Sequence, residues 1–217
     1  MMGTTHAQSG SMAWAFFTTA AAPVAGLHLP WPAVAAGTLA CAGSALLPDL
    51  DHPQATAAHS FGPVSGAVTR IVHRVSGGHR QATHSLLLAA VAYGGAYAAV
   101  SAGHGFAALP MMFILFVFAI RALHLAPGLT YGVAGLVGLL AFLLLHGDYG
   151  WLPTAVGLGY LAHLAGDCLT MEGCPLWWPH EAAVRLPVIR RTGNRVERWL
   201  FGPAFALGTL ALFVFVR

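Results

Sequence analysis

Seven apolar windows, near residues 12–28, 32–48, 85–102, 106–123, 129–146, 152–170 and 199–216, alternate with polar stretches along the chain. Each approaches the ~20 residues that a membrane-crossing helix needs, so the pattern predicts an all-α polytopic membrane helix bundle of about six or seven transmembrane helices. The first two windows are short and are cut by Pro23, Pro30 and Pro32. Full crossing is the expectation for them, and a re-entrant pair is the alternative.

Two polar insertions interrupt the series, at 49–84 and 171–198. In the first, Val64, Val68, Ile71, Val72 and Val75 recur at helical spacing against Arg70, His73 and Arg74. This predicts an amphipathic helix over Pro63–Val75 lying in the membrane plane. The second carries Trp177, Trp178 and Arg185, residue types suited to the headgroup zone. With no internal repeat or linker, residues 1–217 are expected to form a single membrane-embedded domain.

Composition agrees with the pattern. Hydrophobic residues make up 57% of the chain and charged residues 8%, against about a quarter charged in soluble domains. The N-terminus lacks the basic stretch of a signal peptide, although Ala20-Ala21-Ala22 resembles a cleavage site, and residues 1–30 are read as mature.

The cations are all Arg, and if the windows alternate, every internal one falls on or beside a single face. The positive-inside rule makes that face cytoplasmic. The net charge of +3 therefore reflects topology and contact with anionic lipid. No dense basic patch interleaved with aromatics is present, so direct nucleic-acid binding is not expected. Cys41, Cys168 and Cys174 show no Cys-x-x-Cys spacing and are expected to be reduced thiols.

The same alternation places His6, Asp49, Asp51, His84, His163 and Asp167 on the cytoplasmic face. Ionised carboxylates at the end of an apolar segment need a partner. His163 and Asp167, spaced i, i+4, share one helical face, and Asp49 and Asp51 flank Leu50 just after Pro48. Mixed imidazoles and carboxylates suit zinc above all, with manganese or iron as alternatives, and six donors exceed what one tetrahedral ion requires. One or two divalent ions are expected.

Arg80 is placed to orient a substrate anion or else is a topology determinant. His52 and His79 are candidates for ligation, proton transfer or orientation of ligands. Glu172, Glu181 and Glu197 are candidate bases. Cys168 is read as packing, and His28, His59, His73, His104, His124, His146 and His180 as solvated interfacial residues. The bland alternatives are a helix end meeting water for Asp49 and Asp51, a mutually bonded pair for His163 and Asp167, and a disordered terminus for His6.

The stretches Leu46–Pro53, His79–Leu87, Leu158–Pro179, Arg185–Val188 and Gly193–Trp199 resemble, in order, the motifs of the YdjM-like family of LexA-binding, inner-membrane-associated, metal-dependent hydrolases. Gln81, where Gly is usual, and Met171-Glu172, where a Pro-Ala-like pair is usual, depart from its pattern. The resemblance implies a bacterial inner-membrane location, a metal-dependent hydrolase activity and, for some members, a link to a DNA-damage repressor. A weaker similarity in His and Asp placement runs toward zinc-dependent phospholipase C-like proteins.

The expected function is hydrolysis of a phosphoester on a lipid or lipid-linked substrate by metal-activated water, with membrane lipid as partner. The alternative is a non-catalytic metal-binding protein that docks a repressor-type partner through its Arg-rich loops. No His-Glu-x-x-His motif supports a protease. The acidic residues lie at span ends, which disfavours an ion transporter.

Overall fold

In the computed structural model, which describes residues 1–103 and 105–216, the long elements are α-helices and no strand occurs among the described residues. His104 lies outside the described residues. Helix α1 (Gly3–Phe16) continues through a π-turn at Phe17–Ala21 into the short α2 (Ala22–Val24). There follow α3 (Trp31–Ser44), α4 (Pro63–Val75), α5 (Leu86–Ala102), α6 (Ala108–Ala122), α7 (Thr130–Leu144), α8 (Trp151–Cys168) and α9 (Gly202–Phe215). By length and composition, two stretches suffice to cross a membrane, Trp31–Asp51 and Glu197–Phe215, while α5, α6 and α7 are apolar but shorter.

Contacts at opposite ends show that the long helices alternate in direction. At one end a Cβ on Gly105 would meet the ring of Tyr149. At the other, Tyr131 donates to the Ser60 carbonyl at 2.6 Å and Thr4 to that of Ala122 at 2.9 Å.

Helix α3 is the central strut, packed against α1, α6 and α8. Small residues permit that closeness: a Cβ on Gly43 would lie 1.9 Å from the Leu115 carbonyl oxygen, and one on Gly159 1.9 Å from Ser44 Oγ. Such backbone proximity gains dispersion contacts that larger residues would prevent. Gly43→Ala is accordingly expected to cost about 3 kcal/mol by overpacking. Gly94→Ala, with nothing within 4 Å of the new methyl, should be neutral or gain up to about 1 kcal/mol of helix propensity. Thermal unfolding in detergent would separate the two, and equal behaviour would refute the packing account.

The first helix begins nine residues earlier than its apolar window. Thr5, His6, Ser9 and Ser11 lie on α1 and are buried, because small polar side chains let it approach α3, α8 and α9 closely. The Ser9 and Ser11 hydroxyls donate to carbonyls of their own helix, at 2.8 Å and 3.1 Å. The amphipathic helix covers Pro63–Val75 as its spacing predicts, with Val64, Ile71 and Val75 exposed.

Candidate metal centre

Four segments converge at the end of the bundle where α3 and α8 finish and α1 and α5 begin. Pro48 supplies no N–H to the last turn of α3, and the Ala45 carbonyl instead accepts the Nδ1–H of His163 at 2.7 Å. A carbonyl only accepts, so the proton of His163 sits on Nδ1 and its Nε2 is bare. That Nε2 lies 3.2 Å from His84 Nε2, 3.7 Å from Asp49 Oδ1 and 3.7 Å from Asp167 Oδ2. His84 Nε2 lies 3.7 Å from the same Asp49 oxygen and 3.6 Å from the same Asp167 oxygen.

These five separations among the four atoms, 3.2–3.7 Å, lie near the roughly 3.3 Å edge of a tetrahedron with bonds of about 2.0–2.1 Å, as zinc makes with N and O. The chain's own residues thus suit a divalent ion. Electrostatics is compatible with this, since two facing imidazole nitrogens flanked by carboxylates favour a positive charge between them, a proton or a metal ion.

His6, wholly buried, stacks on His163 with ring centroids 3.7 Å apart and has Nε2 3.2 Å from Asp167 Oδ1. Neither of its ring nitrogens has a hydrogen-bond partner. The Met1 amino group lies 2.6 Å from that carboxylate oxygen. The donors also divide into two separate triads, His6–His163–Asp167 and Asp49–His79–His84.

Asp51 stands behind this arrangement. Its Oδ1 accepts the Nδ1–H of His79 at 2.8 Å. Its Oδ2 accepts the Thr83 hydroxyl at 2.5 Å and the Arg80 N–H at 3.2 Å, and lies 3.5 Å from His84 Nδ1. A carboxylate on the far nitrogen of an imidazole fixes its tautomer and turns Nε2 inward. Sequence spacing groups Asp51 with the ligands and leaves His79 open; in the structure His79 joins a donor triad and Asp51 orients it. The signal was the run His79-Arg80-Gln81-Ala82-Thr83-His84, whose glycine-led turn, with Gly77 at φ 85° and Gly78 at φ 112°, folds both imidazoles onto Asp51.

Arg80 is held by the protein. One terminal nitrogen donates to Asp167 Oδ2 at 2.9 Å, and the other to Thr170 Oγ1 at 3.0 Å, with Glu172 at 3.3 Å on its solvent side. His52 lies edge-on to His79, with centroids 4.5 Å apart. Burial and the neighbouring His79 lower its pKa, and its Nδ1 accepts the Gln54 N–H at 3.1 Å. A cavity of about 430 Å³, lined by Asp49, His52, His79, Arg80, Asp167 and Glu172 among others, opens onto these groups.

Of the remaining candidates, Glu181 is exposed. Glu197 is wholly buried, its carboxylate accepting the Met2 and Gly193 N–H groups at 2.5 Å and 2.7 Å, away from the cavity. Cys168 packs in a cluster with Cys174, Tyr160 and Leu164. His28, His59, His124, His146 and His180 are exposed; His73 donates to the Asp51 carbonyl at 2.8 Å.

Burial would lower the pKa of His84, but the neighbouring Asp49 and Asp51 carboxylates outweigh it and raise it to about 9. A raised pKa means that the metal-free site holds a proton below that value, and binding must expel it. The apparent zinc affinity is therefore expected to rise about tenfold per pH unit from about pH 7 to about pH 8 and to level off above about pH 9. A competing chelator indicator would read it, and a flat profile would contradict a proton held there.

A family model described as YdjM inner membrane protein matches residues 1–217. The curated inner membrane proteins YdjM of Escherichia coli (strain K12) and of Shigella flexneri are each 29% identical to it over 176 residues. These alignments cover 78% of this chain and 61% of the relatives, so the match spans less than two thirds of their length. No solved structure matches the chain.

Proposed function

The chain belongs to the YdjM inner membrane protein family, and from that membership and the convergence of donors we propose an inner-membrane, metal-dependent hydrolase of phosphoesters on lipid or lipid-linked substrates. The proposed topology has the long apolar helices crossing the membrane and the donor cluster at the cytoplasmic side. The observation that carries the reading is the facing of His84 and His163 between Asp49 and Asp167 beneath a polar cavity. A divalent cation there would activate water at neutral pH and stabilise the charge that develops on a phosphoryl oxygen.

The residues have distinct roles in this reading. His84, His163, Asp49 and Asp167 hold the metal, with His6 and His79 completing two sites if two ions bind. Asp51 orients His79 and His84. Arg80 fixes Asp167 and supplies the positive charge at the cavity wall that attracts a substrate anion. His52, at the cavity wall with its Nδ1 accepting the Gln54 N–H, presents its Nε2–H as a donor.

A second reading has an observation of its own. Four protein donors around one point would fill a tetrahedron, and a filled tetrahedron suits a structural or sensory metal in a protein that docks a repressor-type partner. Two ions on the separate triads would leave each an open position, as catalysis requires. Metal stoichiometry by elemental analysis, with hydrolysis of p-nitrophenyl phosphodiesters and mixed phospholipids measured on the same detergent-purified protein, distinguishes them. Metal with turnover supports the hydrolase, and one tightly held ion without turnover overturns it in favour of the second reading.

A further inference from the structure

Beside the metal centre lies a second cavity of different character. It is an apolar groove of about 730 Å³ between α4, α6 and α7, lined by Leu47, Leu50, Phe61, Val68, Ile114 and Phe118 among others. Two polar side chains reach it, and both are committed: the Ser65 hydroxyl donates to the Ala58 carbonyl at 2.8 Å, and Tyr131 to Ser60. The groove therefore offers no free hydrogen-bonding group, and a polar occupant would lose its hydration for nothing.

Its shape follows the bundle axis. Helix α6 contributes residues from Phe118 back to Pro110, about 12 Å of helix at 1.5 Å per residue. That depth is close to one leaflet, about half of a 30 Å hydrocarbon core.

One end of the groove meets the metal-donor turn. Leu47 and Leu50 bracket Pro48 and Asp49, and Leu50 stands between Asp49 and Asp51. Helix α4 crosses the same end, joined to the turn by the bond from His73 to the Asp51 carbonyl. Val64 and Val68 of α4 enter the groove, while Ile71 and Val75 remain 63% and 82% exposed. Arg70, His73 and Arg74 are exposed on the same helix. An apolar face beside a cationic one complements an anionic membrane surface in both hydrophobicity and charge.

We infer that the groove holds one acyl chain of an anionic phospholipid, whose headgroup lies at the Pro48–Asp51 turn. The step from bound lipid to substrate rests on the hydrolase reading; the binding itself does not.

The test uses the full chain, purified with its metal and re-lipidated from vesicles of phosphatidylglycerol or of phosphatidylcholine, then weighed by native mass spectrometry. The wild type is expected to retain one phosphatidylglycerol in preference to phosphatidylcholine. Val68→Trp and Ile114→Trp, which fill the groove, should each lower that occupancy at least about tenfold. Leu140→Trp and Leu143→Trp, on exposed apolar positions that do not line the groove, should leave it unchanged.

Equal retention in all four variants, no retained lipid on metal-loaded wild type, or a second copy of the chain in place of lipid would overturn the inference. Equal retention of the two lipids would overturn its anionic part. Retained lipid without hydrolysis would leave the groove standing and remove the hydrolase reading. Hydrolysis of a soluble phosphodiester by protein that retains no lipid would do the reverse.

Discussion

His84→Ala and Asp167→Ala preparations, purified without chelator, are expected to carry less than a tenth of the metal of the wild type and to show no hydrolysis above background. Both side chains are almost wholly enclosed, so no solvent-borne donor easily takes their place. If a four-donor site binds zinc with about 12 kcal/mol, each donor accounts for about 3 kcal/mol, or roughly two decades in affinity. Asp167 should show the larger loss. Its carboxylate is bordered by His6, His84, His163 and Arg80, and removing it also takes the acceptor from one terminal nitrogen of Arg80. Elemental analysis of the two variants beside Glu181→Gln, an exposed carboxylate outside the cavity, makes the comparison. Full metal in either variant would remove that residue from the site and, with it, the tetrahedral arrangement.

Much of the fold was legible in the chain because its long helices coincide with runs of apolar residues bounded by polar ones. The observed α5, α6, α7 and α8 begin and end within about two residues of their windows, and α4 follows its amphipathic spacing. The start of α1 was not legible, because Thr4, Thr5, His6, Gln8 and Ser9 carry no apolar signal. Their burial is a tertiary fact: Gly10 lets the helix approach α3 so closely that a Cβ would lie 2.5 Å from the Cys41 carbonyl oxygen. No local pattern encodes a contact across thirty residues of chain.

The site was legible to a similar depth and for a similar reason. Which residues gather at one end follows from alternation of direction, and spacing i, i+4 aims His163 and Asp167 together. What spacing cannot tell is which member of a cluster faces inward. Asp49 and Asp51 are two residues apart on a single 3₁₀ turn over Pro48–Asp51, and their different places arise from the 77–84 loop that packs on one of them. Arg80 illustrates the same limit. Its backbone, at φ 59°, and its guanidinium are both spent on carboxylates of other segments, which nothing in its immediate neighbours specifies.

The distinction between Asp49 and Asp51 leads to the second large effect, expected in Asp51→Asn. The carboxylate accepts from His79, Thr83 and the Arg80 N–H and borders His84. An amide of the same shape has one accepting oxygen and one donating nitrogen, so some of these contacts must become donor against donor. If the amide nitrogen faces His79, that ring moves its proton to Nε2, the atom that would otherwise bind metal. If it faces the other way, Thr83 and Arg80 lose their acceptor and the loop that presents His84 loosens.

Either outcome leaves the direct donors in place, so the variant is expected to reach full metal occupancy at saturating zinc. Its affinity and its turnover should both fall about 10- to 100-fold, the range for residues that orient ligands. Competition titration with a zinc chelator, followed by hydrolysis rates on the saturated protein, separates this role from ligation. A loss of metal as complete as that in His84→Ala would return Asp51 to the coordinating set. An unchanged affinity would mean that the bonds to His79 and Thr83 do not govern how the imidazoles present themselves.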